Sequence, residues 1–174
     1  MAVETQEVIS SSVPFLSQFL EEEQTRFPNI PPAISTIIQA MSTAAGFMSN
    51  ALIQAALDNE AGNIESFNAS GDVQQRIDML AQNFFLETLE NTQEVCAVIS
   101  EESDGLVPLA HKMAKYIVAL DPLDGSSNVD VNGPVGTLFS IYQRTSSAEI
   151  PLQDKDGLIL GKQQLAAGYI LYST

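Results

Sequence analysis

The sequence is poor in basic residues. Its 174 residues include 7 Lys and Arg against 22 Asp and Glu, which gives a formal net charge of −15. This charge repels the phosphates of nucleic acids and of anionic membranes, so we expect neither as a partner. It also repels anionic substrates. A chain of this composition that handles phosphate esters therefore needs a metal ion or a local basic pocket.

Cysteine is nearly absent, and no apolar run is long. The single cysteine, Cys96, lies in the stretch EVCAVIS, so we expect a buried core residue and a reducing compartment. Polar residues interrupt residues 31–57, the most apolar long segment, before it reaches the roughly 20 residues that cross a bilayer. The N-terminal MAVETQEVISSS lacks the pattern of a secretory signal. We therefore expect a cytoplasmic protein.

Helical patterns come first along the chain, and strand patterns follow. Apolar residues recur at helical spacing in three segments, 13–27, 33–57 and 72–91, with Asp72 as the N-cap of the third. Residues 58–71 have no period and predict a long loop. Four apolar runs predict strands at 94–100, 115–121, 135–142 and 165–172, the last two buried on both faces. This order predicts an α+β domain with layered helices over a mixed β-sheet.

Acidic residues follow two of these strands at the point where each apolar run ends. Glu101 and Glu102 come after the first strand, and Asp121 and Asp124 come in ALDPLDG. If the two strands are neighbours, four carboxylates meet at one edge of the sheet, and like charges that close need a counterion. Oxygen-only ligands suit Mg²⁺ or Mn²⁺, and two such ions could clamp a phosphoryl group.

Small residues follow Asp124 directly, as Gly125, Ser126 and Ser127. They allow a tight turn whose backbone N–H groups can point at an anion, and the hydroxyl groups add further donors. Taken alone, DPLDG is equally typical of a type I turn. Together with the carboxylates after the preceding strand, the segment predicts a combined metal and phosphate site.

Four segments carry a family resemblance: NASGDVQQRID, SEE, DPLDGSSNVDVNGPVGTLFSIY and LAAGYILY. In order and spacing they resemble the N-terminal half of class 1 fructose-1,6-bisphosphatase over almost the whole chain. The resemblance implies a sugar-phosphatase fold in which residues 1–174 form the N-terminal domain, with the C-terminal sugar-binding domain absent. It also implies hydrolysis of the 1-phosphate of fructose 1,6-bisphosphate to fructose 6-phosphate, in gluconeogenesis or the Calvin cycle.

The resemblance also implies a role for each residue of the site. Metal ligands would be Glu101, Asp121, Asp124 and the carbonyl of Leu123, with Mg²⁺ as the cofactor and Mn²⁺ as a possible substitute. Glu102 and Asp78 would help to activate the attacking water, and Asp72, at the end of a mobile loop, would assist proton transfer. The 1-phosphate would be held by Asp124, Gly125, Ser126 and Ser127. From its pattern alone, Asp78 would be a solvated acid on a helix.

An allosteric AMP site is implied by the resemblance only in part. Lys115 and Tyr116 match a Lys-Tyr pair of that site, although by default they would be solvated flanks of a strand. The turn between the first two helices reads NIPPAIS instead of the Thr-Gly-Glu of the family, and Gln143 replaces an expected arginine. Proline has no N–H to offer a phosphate, so we expect AMP to bind weakly or not at all.

The chain is about half as long as members of the family it resembles. We therefore expect that it does not catalyse the reaction alone, and that it forms homo- or hetero-oligomers with fructose-1,6-bisphosphatase chains. One alternative is a sedoheptulose-1,7-bisphosphatase, which shares the 1-phosphate end. The other is a truncated subunit, regulatory or vestigial, that pairs with a full-length enzyme.

Overall fold

A computed structural model describes residues 15–60, 70–131 and 133–172 of the chain. Three helices come first, as predicted: α1 at Leu16–Arg26, α2 at Pro32–Glu60 and α3 at Ser70–Asn91. Pro32 opens α2 at a position where a helix does not use the backbone N–H. Within the described ranges, no helix combines the length and the apolar character needed to cross a membrane.

The prediction of a loop at residues 58–71 is wrong at both of its ends. Residues 58–60 belong to α2 and residues 70–71 to α3, while 61–69 lie outside the described residues. Asp72 therefore lies in the first turn of α3, three positions after the residue that precedes the helix, and its prediction as the N-cap is wrong. A carboxylate in the first turn is still favoured by the helix dipole. Helix boundaries are the part of a sequence pattern that is least sharply defined.

Five strands follow and form one mixed sheet. They are β1 Val95–Ser100, β2 Leu106–Pro108, β3 Tyr116–Asp124, β4 Val135–Gln143 and β5 Gln164–Tyr172. Their order is β2-β1-β3-β4-β5. The β1–β3 pair is parallel and the other pairs are antiparallel. The predicted α+β layering is confirmed, and β2 is a short addition that the pattern did not reveal.

The helices pack on one face of the sheet and build the main core with it. Ile37 and Met41 lie one turn apart on α2 and are fully buried, as is Phe85 on α3. They belong to one cluster with Val98 of β1 and Val118 of β3. Full burial of such a side chain contributes about 2 kcal/mol. The apolar stripes of α2 and α3 therefore hold β1 and β3 in place beneath the helices.

The chain between β4 and β5 covers part of the opposite face. Leu152 and Ile159 pack against Cys96, Ala97 and Ile117, and these last three are fully buried. The burial of Cys96 confirms its prediction as a core residue. This back layer leaves the outer side of β4 and β5 uncovered.

β5 is the edge strand of the sheet, and its outer side is exposed. Tyr169 is 72% exposed and Leu171 67%, whereas Ile170 between them packs toward the helices. Leu138 on the neighbouring β4 is 45% exposed. The prediction that residues 165–172 are buried on both faces is wrong. The run is apolar throughout, but only one of its faces finds a covering layer within the described residues.

Candidate active site

Two parallel strands bring their carboxyl ends to the same edge of the sheet. β1 and β3 pair from Val95–Tyr116 to Ser100–Leu120, and the Glu101 N–H continues the ladder by donating to the Leu120 carbonyl at 3.2 Å. Glu101 and Asp121 are thus adjacent by register. The sequence-based expectation that the two acidic segments meet at one edge is confirmed.

An irregularity in β3 separates Asp121 from Asp124. The pairing with β4 shifts between these two residues, and the Leu123 N–H donates to Asp121 Oδ1 at 3.2 Å. The fully buried Thr137 on β4 donates its hydroxyl to the carbonyl of Pro122 at 2.8 Å. The backbone between the two aspartates is therefore held by side-chain contacts instead of regular pairing.

The chain turns sharply after Asp124. Gly125 has φ +76°, a left-handed conformation that glycine adopts without strain. A 3₁₀ helix then runs over Ser126–Val131. Ser126 is directed back at α3, where its hydroxyl donates to Asp78 Oδ2 at 3.3 Å. The turn thus connects the end of β3 with a carboxylate that lies 48 positions earlier in the sequence.

Asp78 is the most buried acid of the site, at 8% exposed. Its Oδ2 accepts from Ser126, whereas its Oδ1 is buried without a hydrogen-bond partner in the described part of the chain. Burial raises the pKa of Asp78 above its ordinary value, the Ser126 contact opposes this, and the charge of Glu101 adds to it. From its pattern alone, Asp78 was expected to be a solvated acid on a helix. That expectation is wrong, because the side chain is buried.

Burial and, after it, the crowding of like charges raise the pKa values of two acids at the strand ends. The pKa of Asp121 is raised to about 6, first by burial, then by contact with the Glu101 carboxyl and by the charges of Glu101 and Asp124. Glu102 also has a raised pKa, through burial and the charges of Asp78 and Glu101. Acids placed this close repel one another when ionised, and a cation bound beside them would offset that repulsion.

The donor chemistry of this edge fits a hard divalent cation. The side-chain atoms that could bind a metal here are carboxylate and hydroxyl oxygens, and Mg²⁺ prefers oxygen ligands. The contact between Glu101 and Asp121 and the buried Oδ1 of Asp78 supply negative charge, and no basic group among the described residues acts on the pKa of either aspartate. Across the described ranges, no three His, Cys, Asp or Glu side chains are gathered as a ready ligand group. The fit is therefore one of chemistry and charge.

The remaining predicted residues lie at different places. Asp124 and Ser127 are exposed at the turn, and the side chain of Asp72 is outside the described part. Lys115 and Tyr116 lie at the other end of β3 from Asp121. Tyr116 is only 5% exposed, so it is no solvated flank of the strand. A cavity of about 800 Å³ lies between α1, α2 and the end of α3. Neither Lys115 nor Tyr116 lines this cavity.

Sequence reasoning missed two polar residues that touch this site. Thr137 holds the Pro122 carbonyl, and Gln82 on α3 contacts the hydroxyls of Ser100 and Ser103 on either side of the Glu101-Glu102 pair. A signal for Gln82 was present, because it lies four residues after Asp78 and therefore on the same helical face. Nothing in the sequence pattern pointed to Thr137.

Comparison with known proteins places the chain in a family. A family model described as "Fructose-1-6-bisphosphatase, N-terminal domain" matches residues 15–174. The chain belongs to the fructose-1,6-bisphosphatase family. A protein of Amoebophilus asiaticus (strain 5a2) named "Fructose-1,6-bisphosphatase class 1" is 66% identical over 171 residues, which cover 98% of this chain and 52% of that protein. The resemblance to the N-terminal half of class 1 fructose-1,6-bisphosphatase is confirmed.

Solved structures agree on the fold. Crystal structures of Leishmania major fructose-1,6-bisphosphatase in apo and holo forms match with TM-scores of 0.71 and 0.72 and identities of 20% and 25%. Both matches cover 92% of this chain, but only 47% and 49% of the Leishmania chain. The chain thus spans about half the length of the fructose-1,6-bisphosphatases it matches.

Proposed function

We propose that this chain supplies the metal-binding and 1-phosphate-binding half of a fructose-1,6-bisphosphatase. The reaction would be hydrolysis of the 1-phosphate of fructose 1,6-bisphosphate, in the cytoplasm and as part of gluconeogenesis or the Calvin cycle. The observation that carries the proposal is the set of crowded acids at the ends of β1 and β3, of which Asp121 has a pKa of about 6. The 66% identity to the Amoebophilus asiaticus protein supports the choice of reaction.

Glu101, Asp121, Asp124 and the Leu123 carbonyl would hold the metal. Bound there, Mg²⁺ would balance the carboxylate charge and polarise the phosphoryl group for attack by water. The contact between the Glu101 and Asp121 carboxyls supports this assignment, because carboxylate oxygens that are this close could bind the same ion. Mn²⁺ prefers the same ligands and would serve as a substitute.

Asp124, Gly125, Ser126 and Ser127 would bind the 1-phosphate. The left-handed conformation of Gly125 turns the chain so that successive backbone N–H groups and the Ser127 hydroxyl would be available to an anion. Ser126 also donates to Asp78, which couples the phosphate turn to the buried acid.

Asp78 and Glu102 would accept the proton of the attacking water. A general base works best when its pKa lies near the pH at which it operates. The pKa of each residue is raised by burial and by neighbouring carboxylates, which moves both acids in that direction. Asp72, in the first turn of α3, would assist the transfer of the proton.

The second half of the family fold would complete the site. The outer side of β4 and β5 exposes Leu138, Tyr169 and Leu171, and a groove of about 630 Å³ on the sheet is lined by Tyr169 together with Glu101 and Asp121. A surface that is apolar and that adjoins the acidic residues suits a covering layer. We propose that a fructose-1,6-bisphosphatase chain provides this layer in a homo- or hetero-oligomer.

The test is phosphate release from fructose 1,6-bisphosphate with Mg²⁺, with the full-length Amoebophilus asiaticus protein as the positive control. We expect the isolated chain to be nearly inactive, because the contacts to the rest of the substrate are missing. Activity should appear when the separately produced second half of the relative is added, and should be absent with an Asp121→Asn chain. A turnover near ~10 s⁻¹ for the isolated chain would refute the idea that the site is incomplete. The same assay with sedoheptulose 1,7-bisphosphate distinguishes a fructose-1,6-bisphosphatase from a sedoheptulose-1,7-bisphosphatase.

A further inference from the structure

Gln82 lies buried between α3 and the turn that carries Glu101 and Glu102. Its side chain is 6% exposed. Its Oε1 accepts from the Ser100 hydroxyl at 2.5 Å, and its Nε2 donates to the Ser103 hydroxyl at 2.6 Å. The amide thus bridges the first and last residues of the four-residue segment 100–103. The amide accepts from one hydroxyl through its oxygen and donates to the other through its nitrogen.

The turn itself is closed by two further hydrogen bonds. The Glu102 N–H donates to the Ser100 hydroxyl at 3.2 Å, and the Ser103 N–H donates to the Ser100 carbonyl at 3.3 Å. Ser100 is 5% exposed, so its hydroxyl depends on these partners. Gln82 therefore connects to the Glu102 backbone through a single hydroxyl.

α3 holds both acidic segments through residues one turn apart. Asp78 receives the Ser126 hydroxyl from the turn after β3, and Gln82 receives the Ser100 hydroxyl at the end of β1. Residues four apart lie on the same face of a helix. The same helical face thereby determines where the turn after β1 lies relative to the turn after β3.

We infer that Gln82 is a positioning residue that holds the Glu101-Glu102 turn against Asp121 for cation binding. This inference rests on the proposed function. The side chains of Glu101 and Glu102 are exposed overall, although the Glu101 carboxyl contacts Asp121, so their placement depends largely on the backbone of the turn. Groups that orient metal ligands typically change metal affinity by 10- to 100-fold. Loss of the Gln82 bridge should therefore weaken cation binding without removing any ligand.

The experiment measures Mn²⁺ affinity of the metal-free chain by calorimetry for Gln82→Met, Ser100→Ala and the double variant. We expect each single variant to bind roughly tenfold more weakly. The double variant should bind no more weakly than Ser100→Ala, which already breaks the bridge and also removes the acceptor of the Glu102 N–H. Ser103→Ala removes only one contact of the amide and should lower the Mn²⁺ affinity by a smaller factor. It replaces Gln82→Met in the experiment if that variant fails to fold. Ile141→Val, a buried change in β4, is the control for lost stability and should leave the affinity unchanged.

A second readout observes the turn without any metal. Hydrogen exchange of the Glu102 N–H should accelerate in Gln82→Met and stay unchanged in Ile141→Val, because only the first variant frees the Ser100 hydroxyl. Unchanged Mn²⁺ affinity in Gln82→Met, or additive losses in the double variant, would overturn the inference and leave the proposed function standing. If the unaltered chain binds no Mn²⁺, the proposed function fails, and unchanged exchange at Glu102 would then also reject the placement of the turn by Gln82.

Discussion

Two buried aspartates lie on opposite sides of the sheet and have opposite environments. Asp156, 4% exposed in the back layer, accepts from the Gln153 N–H at 2.9 Å. Burial raises its pKa, but the Gln153 and Ser146 contacts and the charge of Arg144 outweigh this and lower it below the ordinary value. Arg144 is itself buried, and its guanidinium donates to Ser146 and to two backbone carbonyls.

Asp78 has none of this compensation. One of its oxygens receives a single hydroxyl, the other has no partner in the described part of the chain, and its charged neighbour Glu101 is another acid. Buried charges are normally paired because an unpaired charge is costly to remove from water. The Arg144–Asp156 cluster is complete within the fold and serves stability. Among the described residues, no positive charge offsets that of Asp78 in this way, and a bound cation would do so.

The largest expected effect comes from breaking the complete cluster. Arg144→Met should lower the free energy of unfolding by about 3 kcal/mol, because it removes one of the charges that offset Asp156 and leaves two backbone carbonyls without their donors. Urea denaturation measures this loss. Lys162→Met removes the same charge from an exposed position and should change stability little. Equal stability of the two variants would mean that the buried cluster contributes nothing to the fold.

Removing a charge from the other cluster should act on binding instead. Asp121→Asn should weaken Mn²⁺ binding roughly a hundredfold or more, since even groups that merely orient a metal ligand change affinity by up to that factor. Calorimetry of the metal-free chain checks this. Asp104→Asn makes the same change at an exposed position nearby and should bind as before. Equal affinity in the Asp121 and Asp104 variants would contradict the assignment of Asp121 as a ligand.

The smallest expected effect is on how the stability of the fold changes with pH. The pKa shifts of Asp121 and Asp156 have opposite directions, so the two residues affect stability in opposite ways. A carboxyl whose pKa is raised in the folded state contributes stability that is full below its unfolded pKa and is lost as the pH rises through the folded pKa. For Asp121 that window runs from the ordinary 3.8 to about 6. Asp156 has a lowered pKa, so its contribution is present above 3.8 and is lost only at more acidic pH.

We therefore expect the metal-free chain to be more stable at pH 5 than at pH 7.5, measured as urea midpoints with a chelator present. Asp121→Asn should reduce this difference, because the amide does not titrate, and should raise the midpoint at pH 7.5. Asp156→Asn should leave the difference between the two pH values as it is. A midpoint that rises from pH 5 to pH 7.5 in the unaltered chain would show that crowding at the acidic edge has no effect on stability.

Much of the architecture could be predicted because it depends on local patterns. Apolar residues at helical spacing predicted the helices, and four continuous apolar runs predicted β1, β3, β4 and β5. The acidic edge could be predicted because Glu101 and Asp121 come directly after two apolar runs. The exposure of β5 could not be predicted, since a run of apolar residues does not tell whether a covering layer is present on both faces.

The sequence by itself determined the inventory of the site: which acids follow which strands, and that glycine and serine come after Asp124. Tertiary structure alone decided which of these groups meet. Ser126 reaches Asp78 across 48 positions, and Gln82 reaches Ser100 across 18. Such contacts depend on how α3 packs across the ends of β1 and β3, which is set by the shared burial of many apolar side chains. No local pattern encodes that packing, because burial is a property of the whole assembled core.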